Sequence, residues 1–415
     1  MSPGQSDEEA GPPELDSRVY YASSVHDEAE IEAVVEVLRD PRGLWVGKRV
    51  NAMERAVAEL FGKRRGVMVN SGSSALYLAV ELAGLPAGSE VITPAVTFST
   101  DVAPLLRGGW VPAFVDVEAD TYNVDVSRIA EMVTDRTSAV LVPNLIGNAP
   151  DWDEIRDIAD GHGLVVIEDS CDALGPTLRG RPTGQRSDFT VTSFASSHII
   201  TCAGGGGMVL LDDEETRDRA LLLRRWGRRS ELQFFGSRRG DRNYWEELDG
   251  VRYDNQFIFD EVGWNFEPSE LGAAFGLQQL QKLPANRARR QRNFELYSAF
   301  FGEHADRLAP PRQTAELDTA WLCYPLTIQP GAGFERAELQ EFLDGQGIDT
   351  RTVWTGNVTR QPMLAGRTFR VPHDGLPRSD RIMEAGVVLP CNHGMGDRHI
   401  EFVLDRCRAF LAGER

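Results

Sequence analysis

The residues of this chain best suited to chemistry stand at the ends of short apolar runs. In SFASSHIITCAGGGG (193–207), a run ending at Ser193 gives way to a polar loop with a single histidine, His198, followed by four glycines. An imidazole takes and gives protons near neutrality, so His198 is a candidate base; a histidine that only satisfies its own loop is the plainer reading. In VNSGSSALYLAV (69–80), Ser71, Gly72, Ser73 and Ser74 separate a strand-like run from a helical one. Free N–H groups at a helix start attract phosphate, and serine hydroxyls add donors; an ordinary N-cap is the alternative. LVVIEDSCDALG (164–175) closes an apolar run with Glu168, Asp169 and Asp172. Ligands of open α/β sheets meet the strand carboxyl ends, where such a carboxylate either pairs with a protonated ring nitrogen or is simply solvated. Phe98, in PAVTFSTD (94–101), offers a face for a planar ligand or belongs to the core.

These residues need a frame. GVMVN (66–70), EVITP (90–94), VPAFVDV (111–117), AVLVP (139–143), LVVIE (164–168), DFTVTS (188–193) and MVLL (208–211) read as strands, and helical segments alternate with them. That alternation predicts an α/β fold, a mostly parallel sheet with helices on both faces. In HDEAEIEAVVEVLRD (26–40), Ile31, Val34, Val35 and Leu38 follow helical spacing and predict a first amphipathic helix. A helix over 268–283 leads into an arginine-rich helical segment. TAWLCYPLTI (319–328), the helix RAELQEFLDGQG (336–347) and VVLP (387–390) then suggest a smaller α+β unit. The expected division is a disordered tail over 1–18, a large domain over 19–290 and a small domain over 291–415.

Composition narrows the function. The 415 residues are 41% apolar and 26% charged, with a formal net charge of -19, which argues against binding a nucleic-acid backbone and favours a small-molecule role. The acidic, Pro/Gly-rich start and the lack of any apolar run of 18 residues point to a cytoplasmic chain with no membrane partner. Five scattered cysteines without a CxxC pair read as free thiols, and no metal motif is legible. Nearly all cations are arginine; the lysines are Lys48, Lys63 and Lys282.

A phosphate turn, a stacking aromatic, a strand-end Asp and a strand-Ser loop, in that order, form the layout of a pyridoxal phosphate enzyme of fold type I. From about residue 20 onward the chain resembles the DegT/DnrJ/StrS sugar aminotransferase family. That family's loop reads approximately S-F-x-x-x-K-x-x-T-T-G-E-G-G, its lysine forming a Schiff base with the cofactor. Ser193, Phe194, Thr201, Gly205 and Gly206 fix the alignment and place His198 at the lysine position. The exchange is characteristic of the family's 3-dehydratase branch, with which FVDVEADTYNVDVSRI, IEDSCDALG, VGWNFEPSELGAAFGLQQLQKL and WTGNVTRQP also agree.

The resemblance implies pyridoxal or pyridoxamine phosphate as cofactor. It implies Ser73, Ser74 and Ser193 at the phosphate, joined by Asn265 of a second copy in a homodimer. By the same resemblance Phe98 would stack on the ring, Asp169 would hold the ring nitrogen protonated, and Asp172 would lie on the ring hydroxyl side. On the same resemblance His198 would act as base and the hydroxyl at C3 would leave from a 4-keto-6-deoxy sugar carried on a nucleotide, with an aminoglycoside or another keto sugar as the alternative substrate. Glutamate regenerates the amine in the GDP-sugar relative. Two departures stand out. Gly204 replaces the family's Glu. In RRWGRRSELQFFGS (224–237), Ser230 and Leu232 occupy positions where the CDP-sugar enzymes carry cluster cysteines. Cys171 matches another such cysteine, but one thiolate cannot hold an iron-sulfur cluster, so none is expected. A dehydratase fed by a separate reductase, an aminotransferase and a catalytically silent cofactor-binding partner are the rival readings. LLLRRWGRR (221–229) is either a set of cations for the nucleotide sugar or a solvated helix end.

Overall fold

The computed structural model describes residues 18–414; the tail expected over 1–18 lies outside them except for Arg18. The continuous apolar runs become a seven-stranded sheet: β1 (Arg65–Val69), β2 (Glu90–Pro94), β3 (Val111–Val115), β4 (Thr137–Pro143), β5 (Val165–Asp169), β6 (Phe189–Ser193) and β7 (Gly207–Leu211). Their order is β1-β7-β6-β5-β4-β2-β3. Neighbours run parallel except at β7, which is antiparallel to both β1 and β6. The carboxyl ends of β1, β2, β4, β5 and β6 therefore share one edge. Strands buried on both faces need no polar alternation, which is why unbroken Val/Ile/Leu runs formed them.

Helix α1 (Glu28–Arg39) stands off the sheet, and α2 (Lys48–Leu60), α3 (Gly72–Leu82), α4 (Ser99–Gly108), α5 (Trp152–His162) and α6 (Glu214–Arg224) cover its two faces. On one face Leu76 and Ala79 of α3 and Leu221 of α6 pack on Val67, Ile167 and Val209. On the other, Trp152 and Ile155 of α5 pack on Val140, Val142 and Val166.

Helix α1 forms, but its apolar stripe is not its buried face. Ile31 and Leu38 are exposed, and Val34 and Val35 only half-buried. What docks the helix is Val37 together with Glu30, whose carboxylate accepts hydrogen bonds from Gln279 and Lys282, each at 2.7 Å. A buried carboxylate is tolerable when it is paired in this way, and periodicity alone gives no sign of the pairing.

Both partners of Glu30 belong to α7 (Glu270–Gly302), which continues well past the helix expected over 268–283, through Pro284 and the arginine-rich segment. It leads to the smaller antiparallel sheet of β8 (Leu308–Ala309), β9 (Cys323–Ile328), β10 (Arg351–Thr352) and β11 (Gly386–Pro390), ordered β8-β9-β11-β10. Arg290 of α7 is enclosed there. It donates to the carbonyls of Trp321 (3.0 Å) and Leu322 (2.9 Å) and to Nδ1 of His393 (3.2 Å). The first described residues form a strap across this smaller unit. The Val19 amide donates to the Gly347 carbonyl, the Asp349 amide donates back to Val19, Arg18 pairs with Asp349 at 2.6 Å, and Asn392 donates to the Tyr20 carbonyl.

At the start of β7 the sheet passes against the turn that follows β1. A methyl group on Gly207 would collide with the backbone carbonyl of Ser71 and the amide of Gly72. Backbone cannot yield as a flexible side chain does, so Gly207→Ala should lower stability by roughly 1–3 kcal/mol, read as a reduced urea midpoint at unchanged slope.

Candidate active site

A cleft of about 870 Å³ opens along the carboxyl edge of the large sheet and is closed from the other side by the smaller unit. At its floor β1 turns directly into α3. Ser71 caps the helix by accepting from the Ser74 amide at 3.1 Å, leaving the amides of Gly72 and Ser73 without intrahelical partners. Gly72 allows this helix end to sit close to β6, since a β-carbon there would lie 2.6 Å from that of Ser193 and 2.9 Å from Sγ of Cys171. Ser71, Ser73, Cys171 and Ser193 all line the cleft. Ser74 does not; it is buried, and its hydroxyl donates to Oδ1 of Asn70 at 2.6 Å. Together the free amides, the dipole and two serine hydroxyls make a cradle of a phosphate's size and sign.

Phe98, the N-cap of α4, holds its ring half in solvent, 51% exposed at the cleft. Across from it, at the end of β5, Asp169 is buried and accepts from the Cys171 amide at 2.9 Å. Asp172 accepts from the Ile146 amide at 2.9 Å, and burial raises it to about 7, opposed by that bond and by Trp354. Glu168 turns the other way and is not part of the cleft. Asp101, one turn into α4, was not singled out by the sequence reading, yet it lines the cleft beside Asp169 and is fully buried.

The loop after β6 is knotted to its own ends. The Cys202 amide and Thr201 hydroxyl both donate to the Phe194 carbonyl, at 3.1 and 3.0 Å, and the Gly206 amide donates to the Asn70 carbonyl at 3.0 Å. Gly204, where the family pattern has Glu, takes φ 95°, a left-handed conformation that glycine adopts without strain. Within this frame His198 is half-buried and faces the cleft. Its Nδ1 is enclosed and without a hydrogen-bond partner. Burial brings the imidazole down to about 4; the Ser193 carbonyl opposes this, and the charge of Arg290 adds to it. At neutral pH the ring is therefore uncharged and keeps a free lone pair.

No lysine lines this cleft. Lys63 is spent on the Ser187 carbonyl and Asp212, Lys282 on Asp27 and Glu30, and Lys48 is exposed at the start of α2. Asn265 is also outside the cleft; it is exposed, with Oδ1 accepting from the Glu267 amide at 3.4 Å. The arginines of 221–229 fit neither reading made of them. Arg224 is buried on Glu54, Arg225 pairs with Glu231 and Glu267, and Arg229 with Glu246 and Asp260, while Arg228 covers the Trp226 ring. The cation at the cleft is instead Arg351, stacked over Tyr21 at 5.6 Å. Trp354, Thr355 and Gln361 accompany it. These three lie in WTGNVTRQP, a segment the sequence marked without assigning its residues a place.

The arrangement fits a planar, phosphorylated, nitrogen-bearing ring: anion cradle at one end, carboxylate at the other, an aromatic face between them and an uncharged imidazole alongside. Among the described residues, no group of three or more His, Cys, Asp or Glu side chains could hold a metal ion. No helix of these residues is long and apolar enough to cross a membrane. Comparison with known proteins agrees with the site. Residues 24–408 match the DegT/DnrJ/EryC1/StrS aminotransferase family. The chain belongs to that family. It is 37% identical over 402 residues to the dTDP-4-dehydro-2,6-dideoxy-D-glucose 3-dehydratase of Saccharopolyspora spinosa, covering 94% of this chain and 86% of that one. The E. coli GDP-4-keto-6-deoxy-D-mannose-3-dehydratase, solved with bound hydrated PLP, superposes with a TM-score of 0.83 at 30% identity, over 94% of this chain and 99% of that one. A GDP-4-keto-6-deoxymannose-3-dehydratase with a trapped PLP–glutamate geminal diamine gives 0.84 at 29% identity and the same coverage. The fold is that of the fold type I pyridoxal phosphate enzymes.

The depressed basicity of His198 has a measurable sign. Between about pH 6.5 and 4, the unfolded chain binds a proton at this residue that the native fold refuses, so stability falls as pH falls. From pH 7 to pH 5 the wild type should lose up to about 2 kcal/mol more than His198→Asn by urea denaturation. Nitrogen NMR of the imidazole should show it neutral throughout that interval.

Proposed function

We propose that this chain is a sugar 3-dehydratase that uses pyridoxamine phosphate to remove the C3 hydroxyl of a nucleotide-linked 4-keto-6-deoxy sugar, with His198 as the base. One observation carries the reading: no lysine lines the cleft, and the sequence resemblance aligns His198, which does line it, with the family's lysine. An imidazole cannot tether the cofactor as an amine does, but it can move a proton. The relatives named as 3-dehydratases acting on dTDP- and GDP-linked keto sugars support the substrate class, and the trapped PLP–glutamate adduct of one supports glutamate as amine donor.

When bound, the cofactor supplies the amine that captures the 4-keto group and a ring that accepts electrons as the C3 hydroxyl is expelled. The amides of Gly72 and Ser73, with the hydroxyls of Ser73 and Ser193, bind the phosphate, and Ser74 braces the turn through Asn70. Phe98 packs on the ring face. Asp169 holds a proton on the ring nitrogen, and Asp172 lies toward the ring hydroxyl. His198, uncharged at neutral pH, takes up a proton on its free ring nitrogen. Asn265 is exposed and suits a contribution to a second copy's cleft. The exposed Leu44, Trp45 and Val262, the last 95% accessible, suit the same homodimer, which sedimentation should report as the active species.

Exchange of His198 for Asn keeps a polar side chain but removes the titratable nitrogen. His198→Asn should lose dehydration of a 4-keto nucleotide sugar by about 10²- to 10⁴-fold while still binding pyridoxamine phosphate. The measurement is mass spectrometry of the sugar product beside equilibrium binding of the cofactor; turnover at the wild-type rate would refute the assignment. In His198→Lys, borohydride should fix pyridoxal phosphate to the protein at residue 198, which it should not do in the wild type.

A further inference from the structure

Asp101 has no place in the roles above, yet it is one of the most constrained groups at the cleft. It stands in the first turn of α4, three residues after Phe98, and no part of it is exposed. The Thr97 hydroxyl donates to its Oδ2, while Oδ1 is enclosed and finds no donor. What stands within hydrogen-bonding reach of its carboxyl is the carboxyl of Asp169. The other titratable groups facing it are Cys171 and Asp172, both on the segment after β5 and neither able to bring positive charge.

Two carboxylates in contact in a dry site cannot both be ionised. A proton must lie between them, and the surroundings decide which oxygen carries it. Asp169 has the Cys171 amide to stabilise its anion. Asp101 has only the Thr97 hydroxyl and the dipole of α4, against full burial and the neighbouring charge. Burial first, then Asp169, push Asp101 well above the usual carboxylate range; burial also raises Asp169, but the bonds from Cys171 and Asp101 pull it back.

We infer that Asp101 is a positioning residue for Asp169: as a neutral carboxylic acid it donates a hydrogen bond to the Asp169 carboxylate, keeping that group ionised and aimed into the cleft. The pair then carries one negative charge, the amount that one protonated ring nitrogen neutralises. Two charges would not survive burial, and none would leave the ring nitrogen without its counter-ion. The β2–α4 junction thus delivers Phe98 to the ring face and Asp101 to the group behind the ring nitrogen. The inference rests on the reading that Asp169 meets that nitrogen.

The test uses Asp101→Asn and Asp101→Leu in the full chain. Asn reproduces a neutral acid, since its amide can donate to Asp169 and its carbonyl can accept from Thr97; Leu removes the donor. The infrared difference spectrum of wild type minus Asp101→Asn, without cofactor at neutral pH, should contain the carbonyl band of a protonated carboxylic acid. A carboxylate band in its place overturns the inference. Equilibrium binding of pyridoxamine phosphate should be kept within about 3-fold by Asn and weakened about 10-fold or more by Leu. Equal weakening by both, or by neither, also overturns it. The two readings separate cleanly: a wild type that shows the acid band but binds no pyridoxamine phosphate refutes the proposed function and leaves the proton pair standing. A wild type that binds the cofactor with Asp101 ionised refutes the pair alone.

Discussion

The Glu168 carboxylate is buried with no solvent to hold it, and the geometry of the whole cleft follows from how it is satisfied. Four side chains donate to it: Asn144 after β4 (2.7 Å), Thr183 (2.5 Å) and Ser187 (3.4 Å) between β5 and β6, and Thr190 on β6 (3.2 Å). A buried charge left short of donors is costly, so the three strand ends are locked to one another at this point. Asn144 extends the lock, donating its amide to the Asp169 carbonyl and accepting the Trp152 indole N–H at 2.7 Å. Because successive residues of a strand face opposite sides, pinning Glu168 on one side directs Asp169 to the other.

From that fixed point the cleft is organised by where charge is withheld. The wall sets the proton-sharing pair inferred for Asp101 and Asp169, with its one negative charge, near an uncharged imidazole at His198 and, behind that ring, the guanidinium of Arg290, answered by main-chain carbonyls and not by a carboxylate. Arg290 connects α7 and the smaller sheet, so the element that joins the two units also lowers the basicity of the imidazole and helps keep it empty of its second proton. Anion affinity is concentrated at the opposite end, on the start of α3. A ligand with a phosphate at one end and a cationic ring nitrogen at the other is oriented by this polarity before any shape-specific contact is made.

Much of this could be read before any coordinates. The seven strands lie within a residue or two of the apolar runs, because a strand buried on both faces leaves an uninterrupted signature. His198, Ser73, Ser193, Phe98, Asp169 and Asp172 all reach the cleft, since each sits at or a few residues past the carboxyl end of a strand, where topology gathers ligands. What could not be read depends on pairing across long separations. Glu30 displaced the apolar stripe of α1 because its partners are some 250 residues away. Arg224 resembled a surface cation until Glu54 was found against it. Asp101 is indistinguishable in sequence from the acidic residue that any helix welcomes in its first turn, and only the proximity of Asp169 gives it another meaning. Ser74 sits next to Ser73 in the same motif, yet helical rotation points its hydroxyl at Asn70.

The strap formed by Arg18, Val19 and Tyr21 has a consequence for how the molecule comes into being. Its partner Asp349 lies 331 residues further along the chain, and Tyr21 lines the cleft. During synthesis the strap emerges more than 300 residues ahead of its docking surface. At about 5–20 residues per second, the wait is roughly 20–60 s, long compared with the folding of a single domain. Over that interval the large sheet can assemble while one wall of the cleft is still missing. The ligand site is therefore finished only after Asp349 and its neighbours have left the ribosome, and a nascent polypeptide stalled before residue 349 carries the large sheet without a completed cleft.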